Sequence, residues 1–302
     1  MKEKLISVII PTYKQNERLN KSITSVLSQT YKNIEIIVVD DNNPGTESRR
    51  NTEIIMDTYK NHSCVRYIKH DKNRNGSAAR NTGFRVSKGE YIAFLDDDDF
   101  WEKDKLEKQC EYLENHLQYD AVYTYIILSG GRQNPNHCCE GNIVEEYLTN
   151  YVSLQTSCLL FTRKAVESIK GFDESFIRHQ DYEFILRFFF AGFEMGCIPE
   201  YLSYKSAGGE NQLTGERLNR LKDKFFETFG EQFNLLDREH PGIKKRIVIA
   251  NYVKVFESHV AGHHYRLAMG ILNKYFLMNP IEFIKQCFVL LKNHIIRHRK
   301  VK

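Results

Sequence analysis

Paired cysteines are missing from this chain of 302 residues. Its seven Cys (Cys64, Cys110, Cys138, Cys139, Cys158, Cys197 and Cys287) are odd in number and irregular in spacing, and no Cys-x-x-Cys occurs. That argues against a disulfide framework and against a structural zinc site, whose ligands come at set intervals. The thiols read as the reduced side chains of a cytoplasmic protein. Long apolar runs are missing as well. Nothing approaches the roughly 20 residues needed to span a bilayer. Leu5–Ile10, followed at once by Pro11, is too short for a secretory signal. Strong charge of either sign is missing: the formal net charge is +4, which does not point to nucleic acid. Glycine-rich phosphate loops are absent. With no Gly-x-Gly-x-x-Gly behind the first apolar stretch and no Gly-x-x-x-x-Gly-Lys-[Ser/Thr], dinucleotide oxidoreductases and P-loop enzymes are disfavoured.

What is present centres on residues 91–101, Tyr-Ile-Ala-Phe-Leu-Asp-Asp-Asp-Asp-Phe-Trp. Tyr91 to Leu95 has the composition of a buried central strand. It runs directly into Asp96, Asp97, Asp98 and Asp99. Four adjacent carboxylates repel one another, and burying them without a counter-charge costs several kcal/mol. A hard divalent cation is the natural partner, because carboxylate oxygens are its preferred ligands. The alternation, central Gly and terminal Glu of an EF-hand loop are absent. In open α/β sheets ligands bind at the carboxyl ends of the strands, which is where this cluster falls.

The periodicity predicts strands at Leu5–Ile10, Ile34–Val39, Val65–Lys69 and Tyr91–Leu95, the first broken by Pro11. Helices are predicted between them at Asn16–Gln29, Glu47–Tyr59 and Gly76–Lys88, the last closed by Gly89. This β-α-β-α-β-α-β order predicts an α/β fold with a mostly parallel, Rossmann-like sheet flanked by helices. A polar helix at Glu102–His116 and strands at Ala121–Leu128 and Leu154–Phe161 follow, then a short apolar helix at Asp181–Ala191. From Gly215 the pattern is all-helical, near 216–236, 242–258, 264–277 and 280–298, which places a domain boundary near residue 215.

Three acidic stations stand at the ends or starts of these elements: Asp40-Asp41, Asp96–Asp99, and Asp181 in Arg178-His-Gln-Asp-Tyr-Glu183. A nucleotide-sugar transferase needs such a set, one carboxylate for the base, one for a metal on the diphosphate and one to deprotonate the acceptor hydroxyl. The motifs around them resemble those of the family-2 glycosyltransferases, which have the GT-A fold. Val8-Ile-Ile-Pro-Thr-Tyr13 is similar to that family's first strand and loop, and Ser25-Val-Leu-Ser-Gln-Thr-Tyr31 and Glu35-Ile-Ile-Val-Val-Asp-Asp-Asn42 to its next elements. Gly76-Ser-Ala-Ala-Arg-Asn81 with Gly83 resembles its Gly-led Ala-Arg-Asn-x-Gly segment. Gly89-Glu-Tyr-Ile-Ala-Phe-Leu-Asp-Asp-Asp-Asp99 resembles its Asp-x-Asp strand, and Gly171-Phe-Asp-Glu174 followed by Gln180-Asp181 its catalytic segment.

The resemblance covers about residues 5–205 and implies a role for each station. Residues 1–215 would be the catalytic domain, with a nucleotide-sugar half to about residue 100 and an acceptor half beyond it. Residues 216–302 would form a helical C-terminal region. Pro11, Thr12 and Tyr13 would line a uracil pocket, with Tyr13 stacked on the base, and Asp41 would accept the base N–H. Asp98 would contact the ribose or metal. Asp99 would hold Mn2+ or Mg2+ on the diphosphate, with Asp96 close by, so that the ion neutralises charge on the leaving group. Arg80 is either a second positive contact or a structural helix residue. Asp181 would be the general base of an inverting single displacement. Read locally, it is equally a helix N-cap. Gln180 departs from the Glu that many relatives carry.

The Gln-x-x-Arg-Trp motif of processive relatives is missing, since Trp101 is the sole Trp. One sugar per event is therefore expected, as in capsule, O-antigen or cell-wall polysaccharide synthesis. Gly208-Gly-Glu-Asn-Gln-Leu-Thr214 reads as a lid over the donor or as a linker. After Glu282 no acidic residue occurs, while Lys285, Lys292, Arg297, Arg299, Lys300 and Lys302 are basic. Ile281, Ile284, Phe288, Leu291 and Ile295 share a helical face. That segment reads as an amphipathic helix for an anionic membrane surface, suiting a lipid-linked acceptor, or as a core-packed final helix. The C-terminal helices are also a possible homodimer interface. A sugar nucleotidyltransferase would want a Gly-rich, cationic loop after the first strand, and Pro11-Thr-Tyr-Lys-Gln is not one. A non-catalytic scaffold would not need all three acidic stations.

Overall fold

The computed structural model describes residues 3–14, 17–133, 137–206 and 215–297. In chain order the elements begin with β1 (Ile6–Thr12), α1 (Arg18–Leu27), β2 (Ile34–Asp40), α2 (Glu47–Asp57), β3 (Val65–Lys69), α3 (Gly76–Val86), β4 (Tyr91–Phe94) and β5 (Phe100–Trp101). Next come α4 (Lys105–Asn115), β6 (Ala121–Leu128), β7 (Arg132–Gln133), α5 (Val144–Leu148), β8 (Leu159–Thr162), α6 (Arg163–Ser168), α7 (Gln180–Phe190) and β9 (Met195–Tyr204). The chain then continues as α8 (Gly215–Thr228), α9 (Gly230–Glu239), α10 (Ile243–Ala261), α11 (Tyr265–Met278) and α12 (Pro280–Arg297). It divides into two compact units. The first takes residues 1–129, 138–143 and 154–206, and the second the rest.

The first unit is built on a mixed sheet in the order β3-β2-β1-β4-β8-β6-β9-β5. β3, β2, β1 and β4 are parallel to their neighbours, β8 is antiparallel to both β4 and β6, and β9 is parallel to β6. The central strands are buried on both faces, which is why they read as unbroken apolar runs rather than alternating ones. On one face Val8, Ile10, Ile36, Val38 and Ala93 pack with Leu19 and Ile23 of α1 and Leu106 of α4. On the other, Ile37 and Val39 meet Ala79 of α3.

Pro11 does not break β1, contrary to the expectation from the pattern; the strand runs through it to Thr12, in register with Val39 of β2. Ile6 N and Thr12 O bond on the β2 side, whereas Leu5 O and Ile9 O bond on the β4 side. By alternation Pro11 faces β4, which has already ended at Phe94, so its missing N–H leaves no partner unpaired. Gly89 is likewise not a cap. α3 ends at Val86 with Ser87 extended, and a Cβ on Gly89 would lie 2.6 Å from Ser7 N. Strand β9 was not expected at all. Pro199 and Glu200 interrupt its pattern where its pairing with β6 shifts register.

The second unit is helical. Ile249, Tyr252, Val253 and Val255 of α10 pack with Tyr275 of α11 and Phe283 of α12. The Tyr252 and Tyr275 rings stack at 4.2 Å. The segment 144–153 belongs to this unit: Arg246 pairs with Glu145 at 2.6 Å, and Asn251 Nδ2 donates to Leu148 O at 3.0 Å. Among the described residues no helix is long and apolar enough to cross a membrane.

Helix α3 lies hard against β1: a Cβ on Gly83 would fall 2.5 Å from Ile9 Cγ2. Gly83→Val therefore overpacks this contact and is expected to cost about 1–3 kcal/mol of stability. The urea midpoint measures it, and an unchanged midpoint would show that helix and strand separate without cost.

Candidate active site

The carboxyl ends of β1, β2 and β4 lie side by side in the sheet, and each delivers one predicted station. At the end of β2, Asp40 and Asp41 divide in role. Asp40 is fully buried and pairs with Arg49 Nε at 3.1 Å and Tyr67 Oη at 2.5 Å, so it braces the sheet edge. Asp41 accepts from His70 Nδ1 at 2.7 Å, from Arg74 N at 2.8 Å and from Asn73 Nδ2 at 2.7 Å. It thereby ties the loop before α3 to the strand. Past β1, Pro11 and Thr12 close the strand, and Tyr13 leaves its ring 42% exposed.

The four Asp after β4 turn apart, because Asp99 N bonds back to Asp96 O at 3.0 Å. Asp96 faces Arg80, with Nη2 to Oδ1 at 2.6 Å. Burial raises its carboxyl, but Arg80 and then Lys205 outweigh that, and it stays below the usual range. Asp97 accepts from Tyr13 N at 3.2 Å, and burial holds it well above the ordinary value. Asp98 is partly open to solvent, 3.8 Å from Arg18, and is raised by burial and by Asp96. Asp99 is buried: Ser206 N approaches Oδ1 at 3.4 Å, while Oδ2 has no hydrogen-bond partner. Burial, reinforced by Asp96, pushes Asp99 up to about 8.

These residues fit a divalent cation. The buried, unpartnered Oδ2 of Asp99 beside the accessible Asp98 is a hard oxygen pair short of positive charge. Among the described residues no group of three or more His, Cys, Asp or Glu converges to hold an ion unaided. The rest of its shell would come from the ligand, as is usual for Mg2+ on phosphates. Asp96, expected in the same group, spends its carboxylate on Arg80 instead.

Arg80 is buried. Its Nη1 donates to Gln180 Oε1 at 2.9 Å, its Nη2 to Asp96, and its guanidinium lies 5.3 Å from the Phe172 ring centre. It links α3, the acidic turn and the start of α7. Helix α7 starts at Gln180, with His179 at its N-cap in the left-handed region (φ +56°). Asp181 is therefore not the cap. It sits in the first turn, where the helix dipole favours a carboxylate. Burial raises its carboxyl, Arg80 opposes, and Asp96 adds to the rise.

A second link fixes the approach to α7. Asn81 Nδ2 donates to Phe172 O at 2.8 Å and to Glu174 Oε1 at 3.0 Å, and Phe172 N donates to Asn81 Oδ1 at 2.8 Å. The neighbouring Gly171 has φ +69°, and a Cβ there would meet Asn81 Oδ1 at 2.5 Å. This explains the residue types in both motifs. Three residues missed from the sequence complete the site floor. Ser157 Oγ accepts from Asp96 N at 3.2 Å, Ser157 O accepts from Trp101 Nε1 at 2.7 Å, and Gln155 Oε1 accepts from Lys205 Nζ at 2.9 Å. Lys205 directly follows β9, so only that unexpected strand could have signalled it. The 208–214 loop lies outside the described residues.

A family model described as glycosyl transferase family 2 matches residues 7–169, and the chain belongs to that family. The match spans the first two acidic stations and ends before Asp181. The chain is 30% identical over 218 residues to the amylovoran biosynthesis glycosyltransferase AmsB of Erwinia amylovora, covering 67% of this chain and 70% of that protein. It is 31% identical over 183 residues to the Escherichia coli UDP-Glc:alpha-D-GlcNAc-diphosphoundecaprenol beta-1,3-glucosyltransferase WfaP, covering 59% and 67%. Among solved structures it is similar in fold to S. aureus TarS 1-349 in complex with UDP-GlcNAc. That likeness has a TM-score of 0.62 at 17% identity and covers 90% of this chain and 81% of that one. The protein is a glycosyltransferase with the GT-A fold and a C-terminal helical region.

Asn81→Ala leaves the Phe172 N–H and C=O without partners inside the protein and is expected to lose on the order of 2–3 kcal/mol. Chemical denaturation measures it, and a loss under about 0.5 kcal/mol would mean that this link does not hold α7.

Proposed function

We propose that the protein transfers one sugar per event from a UDP-sugar to a hydroxyl of a glycan acceptor, with inversion, as a step in polysaccharide assembly. The observation that carries this reading is the arrangement of Asp41, the Asp98–Asp99 pair and Asp181 in one unit, the first two at adjacent strand ends and the third in the electrostatic reach of the acidic turn. Tyr13 would stack on uracil, against the pocket wall formed by Pro11 and Thr12. Asp41, already held by three donors, would take the base N–H on its remaining lone-pair capacity. Asp98 and Asp99 would hold Mn2+ or Mg2+, which when bound supplies positive charge to the diphosphate. Arg80 supports this arrangement by fixing Asp96 and Gln180.

Asp181 would take the proton of the acceptor hydroxyl as its oxygen attacks the anomeric carbon. The bond from that carbon to the diphosphate breaks on the opposite face, and its electron pair leaves with the diphosphate. An elevated carboxyl suits this task, and Arg80 and Lys205 limit the rise so that the base form persists near neutrality. The names of two similar proteins support the substrate classes: TarS was crystallised with UDP-GlcNAc, and WfaP uses UDP-Glc and a diphosphoundecaprenol-linked acceptor.

A lipid-linked acceptor calls for a membrane surface, and α12 offers a face for one. Phe283, Glu282 and Gln286 turn inward, with Phe283 against Phe256 and Phe276. On the opposite side Ile281 (81%), Ile284 (47%), Phe288 (66%) and Leu291 (55%) are exposed, and the exposed Lys285 and Lys292 flank them. Apolar side chains bordered by cations match an anionic bilayer. The side chains of Ile295 and Arg297, and residues Arg299, Lys300 and Lys302, lie outside the described set.

Calorimetric titration of UDP with and without Mn2+ tests the donor site. Metal-dependent binding is expected in the wild type and its loss in Asp99→Ala, and no UDP binding under any metal condition would sink the assignment. Asp181→Asn is expected to keep UDP binding while slowing transfer about 10²–10⁴-fold. For the membrane face, Phe288→Glu should release the protein from phosphatidylglycerol vesicles in a sedimentation assay. If the same change instead splits a dimer, the face belongs to a second copy.

A further inference from the structure

We infer that Lys205 is a diphosphate-binding residue, holding the β-phosphate of the donor beside the Asp98–Asp99 pair. This deepens the donor reading above and rests on it. The acidic turn and Asp181 together present five carboxylates. Of the nearby cations, Arg80 has both terminal nitrogens engaged, by Asp96 and Gln180. Lys205 differs. Its ammonium carries three N–H donors, and one is taken by Gln155 Oε1 at 2.9 Å. Its charge acts on Asp96, Asp99, Asp181 and Asp98 together, yet among the described residues it closes no direct ion pair with any of them. It is therefore a cation that faces the whole cluster while keeping donors in reserve.

Its mounting is rigid. Lys205 N donates to Ile127 O at 2.7 Å, and the next residue donates through Ser206 N to Asp99 Oδ1 at 3.4 Å. One residue earlier, Tyr204 stacks on Phe100 at 4.6 Å and bonds Glu102 at 2.5 Å. A side chain set at the end of a paired strand is placed more accurately than one on a free loop. A nucleoside diphosphate would bring further negative charge into a site that already repels it. A compact ammonium on a flexible stem is a suitable phosphate partner. As the anomeric bond breaks, charge grows on the β-phosphate oxygens, so the contact strengthens in the transition state.

The test separates this from a purely structural counter-charge. UDP, UMP and uridine are titrated with Mn2+ into wild type, Lys205→Gln and Lys205→Arg, with melting temperatures as the folding control. UDP affinity is expected to fall roughly tenfold to hundredfold in Lys205→Gln. UMP and uridine should be unchanged, and Lys205→Arg should recover most of the UDP affinity. Equal losses for UDP and UMP, or an unchanged UDP affinity, would overturn the assignment. If wild type binds no UDP, the same comparison is run with ADP, GDP and dTDP against their monophosphates. A selective diphosphate loss there would uphold Lys205 while removing the uracil reading, and no binding of any diphosphate would remove both.

Discussion

The structure depends on how negative charge is held at the end of a buried strand. β4 is too apolar to leave the core, so the four Asp that follow it stand at the edge of a low-dielectric interior. Each finds a different solution. Asp96 takes Arg80, Asp97 takes a backbone amide, Asp98 keeps solvent, and Asp99 is left with a bare oxygen and a raised carboxyl. A site that stores unneutralised charge in this way is ready for a cation and an anionic ligand arriving together. The two reduce each other's desolvation cost.

Arg80 makes the same charge mechanically useful. It is one side chain in contact with the acidic turn, with Gln180 next to Asp181 and with the Phe172 ring. One residue on, Asn81 grips the backbone of Phe172 on the segment that leads into α7. Thus a single helix, α3, fixes the candidate base relative to the donor side. The close approach of Gly83 to Ile9 keeps that helix seated. Stability and site geometry are therefore coupled: what loosens α3 also moves Asp181.

The helical unit follows a different logic. Its core is aromatic and closes on α10, while α12 leaves a row of large apolar side chains outside. A helix with two apolar faces buries one and must find an environment for the other.

The sequence by itself determined the β-α alternation of the first half, the positions of the acidic stations and the helical character of the last third. Each is a local pattern: unbroken apolar runs for doubly buried strands, carboxylates directly after them, and a 3.6-residue period. Tertiary structure decided what local pattern cannot carry. Pro11 continues a strand because the neighbour it would have bonded has ended. Asp40 and Asp41, adjacent in sequence, part company because alternate residues of a strand face opposite ways. Asp181 is no cap, because the helix begins at the residue before it. Lys205 enters the site from a strand hidden by Pro199, about a hundred positions from the carboxylates that it faces. Its role comes from strand pairing across the sheet, and pairing partners are set by the whole fold rather than by neighbours in the chain.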